Sequence, residues 1–454
     1  MSISSLSAAQ IALLDTTTIQ SLTTTEIQSL SSTQVGAINT SGIAVINTTQ
    51  LAAFLSTQVR GLTATQIPVF QNTLVFDTSQ LLVLNRPQFG ALTSTQLLAL
   101  DTTHINVISS TQLGALSATN FSVLDATQIG ALSATQVAGL TTTELSGLTA
   151  TDIGEFSATQ LGALSSTQIG ALSATNFSAL DATTIGLLTT TQLRGMTATQ
   201  IGGLSATDMT EFAATQVGGL TTTQLNALST TNINLLDATQ LGGLSSTQLG
   251  GLSGTNLSAL DATQVSGLST GQVGGLTATQ LRNLSTTDFG ELATTQLAVL
   301  SSTQLGALSA TNFSAIDATT FGGLTTTQLR GMTATQIGGL STTDIAEFAD
   351  TQIGGLTTTQ LRSLSATNFA ALDATQIDAL LTVQMTGIST TALSGLDTTD
   401  FGEFADLRKR HGEIREVFPL PEAATADPAL VIRPHRQAAL ARQRGPEVAN
   451  WEEV

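Results

Sequence analysis

Large apolar residues recur along this chain at alternating intervals of three and five residues. From Gln80 to about Asp406 the sequence follows the octad (I/L/V/F)-x-(G/A)-L-(S/T/D)-x-T-(Q/N/D), and residues 169–176 are a typical copy. Upstream the same octad runs two residues out of phase, and the slip falls around Pro68 to Phe76. Roughly fifty octads fit into the 454 residues, so the repeat accounts for nearly the whole chain.

Each octad carries the signals of a helix start. In one copy Ser133 is a suitable N-cap, and Gln136 three residues later completes the capping box S/T-x-x-E/Q. Leu132 before the cap and Val137 within the helix match the hydrophobic staple. Glycine at the positions that follow is expected to help the chain turn away at the end of a helix. The pattern predicts a repeat solenoid of stacked, very short capped α-helices, one per octad, which must gain its stability from stacking because isolated helices this short are unstable.

A β-solenoid is the alternative. Threonine is β-branched and favours strands, and the octads contain many threonines. The odd intervals between the apolar positions argue against it, because a straight strand would send successive large side chains to opposite faces. A turn inside every octad would remove that conflict, so the sequence leaves this alternative open.

A longer period overlies the octads. The string Thr-Asn-Phe-Ser-x-Leu-Asp-Ala-Thr and its relatives recur at Asn120, Asn176, Asn232, Asn256, Asn312 and Asn368. Successive copies lie seven octads apart, which is a 56-residue period, except for the single three-octad step between Asn232 and Asn256. Such regularity indicates growth by duplication and favours a uniform screw in which length can vary.

Five pairs of acidic residues, three positions apart, are the candidate metal site. They are Asp152/Glu155, Asp208/Glu211, Asp288/Glu291, Asp344/Glu347 and Asp400/Glu403. Residues i and i+3 share one face of a helix, so each pair could offer two carboxylates to calcium, which prefers oxygen ligands. The alternative is that the aspartate offsets the helix dipole and the glutamate is a solvated surface group.

Other charged positions have structural interpretations. Four arginines share one octad position and are expected to form ion pairs with these acids between turns: Arg194, Arg282, Arg330 and Arg362. Six aspartates replace Ser or Thr at the cap position and predict N-caps: Asp125, Asp181, Asp237, Asp261, Asp317 and Asp373. The nearly constant threonine at the seventh octad position predicts either local hydrogen bonds or, on the β-solenoid alternative, a hydroxyl row that could bind ice.

Composition excludes several classes of protein. There is no Cys, which excludes disulfide scaffolds, thiolate metal sites and cysteine nucleophiles. The net charge of −18 argues against binding nucleic acid. No phosphate-binding loop, nucleophile elbow or zincin motif occurs, and His104, His411 and His435 have no neighbouring ligand cluster in the sequence. We therefore expect no enzymatic activity and, calcium apart, no cofactor.

The two ends differ from the body of the chain. Residues 1–76 form shifted repeats and a possible cap, and residues 77–406 form the main solenoid with its 56-residue super-repeat. Residues 407–418 predict a C-terminal capping helix, and residues 419–454 predict a flexible tail containing Arg and Pro. The start lacks the features of a signal peptide, and polar residues in every octad predict no membrane span.

Octads of the type Leu-Ser-x-Thr-Gln-Ile-x-x-Leu, and Leu-Thr-Thr-Thr-Gln-Leu-Arg-Gly-Met at residues 188–196, resemble the short repeats of bacterial surface or secreted adhesin-like proteins. The resemblance covers roughly residues 5–405. It implies an extracellular or cell-surface structural role, with a cytoplasmic location as the alternative. The expected function is a spacer, stalk or multivalent adhesion scaffold with an unknown protein or cell-surface partner and possible self-association, and the alternative is a repeated binder of calcium or ice.

Overall fold

The computed structural model describes residues 2–71, 75–385 and 387–393, and in these ranges nearly every octad forms one short helix. None of the described α-helices is longer than six residues, and no described residue lies in a strand. The prediction of a helical repeat solenoid is confirmed, and the β-solenoid finds no support in this part of the chain. The predicted helix at 407–418 and tail at 419–454 lie outside the described residues.

Two compact units divide the chain, Met1–Leu236 and Asp237–Val454. The border falls inside the single three-octad step between Asn232 and Asn256. The described α-helices of the first unit are, in chain order, Ala8–Ile11, Thr16–Ser21, Thr24–Ser29, Ser32–Ala37, Thr40–Ala44, Thr48–Ala52, Ser56–Val59, Thr78–Val83, Arg86–Gly90, Ser94–Leu98, Thr102–Val107, Ser110–Leu113, Ala118–Phe121, Ala126–Ala131, Ala134–Val137, Thr142–Gly147, Ala150–Gly154, Ala158–Gly162, Ser166–Ile169, Ala174–Phe177, Ala182–Leu187, Thr190–Leu193, Ala198–Gly202, Ala206–Glu211, Ala214–Gly219, Thr222–Ala227 and Thr230–Asn234. Those of the second unit are Ala238–Gly242, Ser246–Gly250, Gly254–Leu257, Ala262–Gly267, Thr270–Val273, Ala278–Asn283, Thr286–Gly290, Thr294–Leu297, Ser302–Ala307, Ala310–Ser314, Ala318–Gly322, Thr326–Leu329, Ala334–Gly338, Thr342–Ala346, Asp350–Ile353, Thr358–Arg362, Ala366–Ala370, Ala374–Asp378, Thr382–Met385 and Thr390–Leu393. The first unit also contains 3₁₀ helices at Ile3–Ser5 and Ile67–Val69.

The capping box starts the helices as predicted. Ser133 has an extended backbone (φ −71°, ψ 156°), and its Oγ accepts a hydrogen bond from the backbone N of Gln136 at 3.3 Å. In return the Oε1 of Gln136 accepts from the backbone N of Ser133 at 2.7 Å. Leu132 and Val137, the two members of the predicted staple, are both buried. Each such box pairs amide hydrogens that a helix start leaves without a partner.

Extended residues, rather than left-handed glycines, terminate many of the helices. Leu132 follows its helix in an extended conformation (φ −64°, ψ 132°) and leads directly into the next cap, Ser133. The prediction that glycine ends the helices by turning the chain was wrong for glycines such as Gly195, which do not adopt a positive φ. Gly195 is needed for another reason, because a Cβ there would overlap the carbonyl oxygen of Ser166 in the turn before.

Glutamine side chains join successive turns of the solenoid. Besides completing its capping box, Gln160 donates from Nε2 to the carbonyl oxygens of Ile129 (2.8 Å) and Leu132 (2.7 Å), which lie 31 and 28 residues earlier. The same pair of offsets recurs along both units, for example from Gln336 to Leu305 and Leu308. We call this series of cross-turn bonds the glutamine ladder.

The ladder defines the length of a turn. A ladder bond to the carbonyl oxygen of a residue just before a cap, such as the bond from Gln160 to Leu132, spans 28 residues. Within each unit, many helices pack against the third helix before or after them along the chain. One turn therefore takes 28 residues, or three and a half octads, so octads of adjacent turns are staggered by half an octad. Two such turns contain 56 residues, which is the longer period of the sequence. The half-octad stagger cancels over two turns, so octads that are two turns apart occupy equivalent positions.

The core consists of the two large apolar residues of each octad together with the ladder. Ile129 and Leu132 are 1% and 4% exposed, and Gln128 beside them is only 3% exposed. Buried amides are stable there because each polar atom has a partner.

The ladder continues across the change of phase between Gln66 and Gln80. Gln80 donates to the carbonyl oxygens of Leu51 and Phe54, at offsets of 29 and 26 residues. These offsets are two residues shorter than those elsewhere, so they absorb the two-residue slip. Phe70 and Phe76 pack edge to face at 5.3 Å beside it.

Candidate functional site

Each described acidic pair lies against the Asn-Phe-Ser motif of the turn before or, for Asp288/Glu291, against its relative Asn-Leu-Ser. The Oγ of Ser122 donates to the Oδ2 of Asp152 at 2.9 Å, across 30 residues. The same bond joins Ser178 to Asp208 (2.7 Å), Ser258 to Asp288 (2.9 Å) and Ser314 to Asp344 (3.0 Å). The two periodic landmarks of the sequence are therefore two halves of one contact, repeated four times in the described residues.

The aspartates of these contacts also start helices. The Oδ2 of Asp152 accepts from the backbone N of Thr149 (2.7 Å) and from its Oγ1 (2.9 Å). Asp152 thus occupies the ladder position but cannot donate to the turn before, and Ser122 supplies the donor instead. Asp152, Asp208 and Asp344 are between 3% and 8% exposed.

The glutamates complete four acidic clusters. Burial raises the pKa of Glu155, and the negative charges of Asp152 and Asp125 raise it further. The same causes act at the other three clusters, Asp181/Asp208/Glu211, Asp261/Asp288/Glu291 and Asp317/Asp344/Glu347. Within them, the Oε2 atoms of Glu211 and Glu291 are buried and have no hydrogen-bond partner. Sequence reasoning identified the acidic pairs but missed the third carboxylate, which comes from the turn before.

These clusters do not form a recognisable metal centre. Among the described residues no group of three or more His, Cys, Asp or Glu side chains is arranged to hold a metal ion. At Asp152 one carboxylate oxygen already accepts three hydrogen bonds. Asp400 and Glu403, the fifth predicted pair, lie outside the described residues, and calcium binding stays a prediction.

The other charged residues take structural roles. All six predicted aspartate caps are confirmed, with the carboxylate accepting from the backbone N three residues later at 2.7 to 2.9 Å: Asp125, Asp181, Asp237, Asp261, Asp317 and Asp373. The prediction of ion pairs between turns was wrong for Arg194 and Arg330, whose Nε atoms donate to backbone carbonyl oxygens of the next turn, those of Gly219 (2.8 Å) and Gly355 (2.9 Å).

Two further features of the sequence have simple structural counterparts. His104 stands at a ladder position, where its Nδ1 lies 2.6 Å from the Oδ1 of its own N-cap, Asp101. His411 and His435 lie outside the described residues. Threonines at the seventh octad position, such as Thr175, are exposed on the second residue of a helix. The ice-binding hypothesis required strands, and the described threonines of this kind lie on helices or turns.

Comparison with known proteins finds no matching family model, no matching curated protein and no matching solved structure. Within the described ranges no helix has the length and apolar character needed to cross a bilayer.

Proposed function

We propose that this protein is a non-enzymatic structural scaffold that acts as a spacer or surface stalk and presents the same polar groups at constant intervals. The glutamine ladder is the observation that carries the proposal. Because each turn bonds to the one before through the same atoms, as Gln160 and Gln336 illustrate, length can change while local contacts stay constant. A partner would be bound through many equivalent contacts on exposed octad surfaces rather than in one pocket.

The resemblance to bacterial surface repeats supports an extracellular or cell-surface location within this proposal. Fractionation of the source cells with an antibody against the repeats tests that part, and recovery only from the cytoplasm would contradict it. The spacer function itself is tested independently by measuring length.

The first unit offers a direct test of length. Thr103 and Thr215 are exposed and are separated along the chain by four turns of 28 residues. Because the natural chain contains no Cys, Thr103→Cys and Thr215→Cys create a unique pair for spin labels. With helices packed about 8–10 Å apart per turn, the labels should be roughly 32–40 Å apart.

Deletion of residues 121–176 removes two turns and joins Asn120 to Phe177, which restores the Thr-Asn-Phe-Ser string. We expect the distance between the labels to fall by about 16–20 Å with an unchanged far-UV circular dichroism spectrum per residue. Deletion of residues 121–180 is the matched control, because this segment is seven and a half octads long and its loss must break the ladder. Unfolding of the variant that lacks residues 121–176, or an unchanged distance, would contradict the spacer proposal.

A further inference from the structure

Glu144 stands at a ladder position that glutamine usually occupies. Its Oε2 accepts from the backbone N (2.6 Å) and the Oγ1 (2.7 Å) of Thr141, as the Oε1 of a ladder glutamine does. The residue is only 2% exposed. Its second carboxyl oxygen, Oε1, is buried and has no hydrogen-bond partner.

In a ladder glutamine the corresponding atom is a donor. Gln136, one octad earlier, donates from Nε2 to the carbonyl oxygens of Ile105 (2.8 Å) and Ile108 (2.7 Å). Counted back by the same 31 and 28 residues, the carbonyl oxygens of Leu113 and Leu116 are the acceptors to which a glutamine at position 144 would donate. A carboxylate cannot donate to them, whereas a protonated carboxyl can donate once through its O–H.

One cation lies in this region. The Nη2 of Arg86 donates to the carbonyl oxygen of Gly114 at 2.8 Å, between the two carbonyls of the ladder position. No other residue of the Glu144 helix is charged or titratable, and neither are those of the helices packed against it, Ala118–Phe121 and Ser166–Ile169. Burial raises the pKa of Glu144, and this outweighs the opposing hydrogen bonds from Thr141 and the charge of Arg86.

We propose that Glu144 is a proton-binding site of the folded chain, and that its protonated carboxyl donates the missing cross-turn hydrogen bond to Leu116 or Leu113. The proton comes from solvent and leaves as the pH rises, so the ladder is complete at this turn in acid and open in base. Because the folded pKa is raised, the stabilisation is fully present below the ordinary pKa of a glutamate and is lost as the pH rises through the folded value.

The chain provides a matched control at Glu26. This residue has the same capping box, with Oε2 accepting from the backbone N of Thr23 at 2.9 Å, but it is exposed. The described hydrogen bonds of its carboxylate all come from Thr23, and the pKa of Glu26 is lowered mainly by the hydrogen bond from the Thr23 backbone. Glu26→Gln therefore changes the same atoms without a cross-turn partner.

The experiment compares the wild type, Glu144→Gln and Glu26→Gln by urea denaturation between pH 4 and pH 8. Glu144→Gln should raise the unfolding midpoint at pH 8, and the gain should vanish toward pH 4. Hydrogen exchange at Leu145 should show wild-type local opening increasing by up to about tenfold per pH unit in this window, after correction for intrinsic exchange, and no such increase in Glu144→Gln. Glu26→Gln should give no gain at pH 8. A gain for Glu144→Gln that is absent at pH 8, or equal at all pH values, would overturn the proposal.

Arg86→Gln separates proton binding from ion pairing. If Glu144 is protonated, the loss of the bond from Arg86 to Gly114 should lower the midpoint equally in the wild-type and Glu144→Gln backgrounds. A much larger loss in the wild type at pH 4, where the proposal requires a protonated carboxyl, would show that Glu144 is ionised and balanced by Arg86, and would also overturn the proposal.

Discussion

Removal of one ladder glutamine from the interior of a unit is expected to weaken the chain much more than removal of one from its first turn. The perturbation is Gln160→Leu, which keeps the size of the side chain and deletes its polar atoms. Three groups lose a described partner, the carbonyl oxygen of Leu132 and the backbone N–H and side-chain hydroxyl of Ser157. The carbonyl oxygen of Ile129 keeps its bond from the backbone N of Leu132 at 3.1 Å.

The magnitude follows from which of these groups can reach water. A buried polar group left without a partner costs about 1–3 kcal/mol. Ser157 is exposed, so its N–H can bind water, whereas the carbonyl of Leu132 lies between two turns. We therefore expect Gln160→Leu to lower the free energy of unfolding by about 2–4 kcal/mol.

Gln10→Leu is the matched control. Gln10 has the same capping box, with its Oε1 accepting from the backbone N of Ser7 at 2.8 Å, but it is exposed in the first turn. Loss of this exposed box should lower the free energy of unfolding by about 0.5–1 kcal/mol, so the difference between the two variants measures the cross-turn bonds.

Urea denaturation followed by far-UV circular dichroism is the appropriate assay, because the chain has no Tyr and its single Trp, Trp451, lies outside the described residues. Hydrogen exchange then locates the loss, which should concentrate in the turns on either side of Gln160 because contacts in a solenoid are local. Equal losses for Gln160→Leu and Gln10→Leu would refute the ladder as a source of stability.

Four further predictions test the remaining contacts. Ala213 is an exposed N-cap without a side-chain acceptor, and Ala213→Ser should raise the free energy of unfolding by about 1 kcal/mol in urea denaturation, whereas no gain would contradict the capping argument. Gly195→Ala should lower the free energy of unfolding by about 1–3 kcal/mol because the new Cβ overlaps Ser166. Gly130→Ala is the control, because no atom lies within 4 Å of its new Cβ, and it should be neutral or stabilising by up to about 1 kcal/mol. A larger loss of stability for Gly130→Ala than for Gly195→Ala would refute the close approach of turns. A variant with glutamine in place of the four cluster glutamates carries Glu155→Gln, Glu211→Gln, Glu291→Gln and Glu347→Gln. Because the pKa values of these glutamates are raised in the folded chain, the wild type loses stability as the pH rises. The variant should therefore have a higher unfolding midpoint in urea at pH 7, and its midpoint should fall less between pH 4.5 and pH 7. Millimolar calcium should leave the melting temperature of the wild type unchanged if the clusters serve capping alone, and a rise that this variant abolishes would establish the calcium site.

The local fold could be predicted because each octad contains its own start signal. Ser133 and Gln136 lie three residues apart, so their capping box depends only on neighbouring residues. The number of octads in a turn could not be predicted in the same way. It depends on the angle between successive helices, which is set by the extended pair at Leu132 and Ser133 and by the reach of each glutamine to the turn before. The sequence contains the 56-residue period, but it does not state how many turns that period completes.

The acidic clusters show the same division between local and distant information. The pair Asp152 and Glu155 is visible because its members are close in the sequence. Its partner Ser122 is 30 residues away, and the fixed interval between the two landmarks was the only sign of their contact. The second role of glutamine was missed for a related reason, since a capping box uses Oε1 and gives no information about Nε2.

Side chains at the ladder position differ in which of two tasks they perform, and this limits how the chain can grow. Glutamine caps its own helix and donates to the turn before, as Gln160 does. Asn176 is too short to complete the box and keeps the cross-turn bond to Leu148 (2.8 Å), whereas Asp152 keeps the box and receives its cross-turn bond from Ser122. Insertion of any whole number of octads preserves the bonds from glutamine to the turn before, because every octad offers equivalent backbone carbonyl oxygens as acceptors. A bond from a serine to an aspartate survives only when the two residues stay 30 positions apart. Duplication must therefore copy the serine and the aspartate together. The three-octad step meets this condition, because Ser258 and Asp288 after it are still hydrogen-bonded.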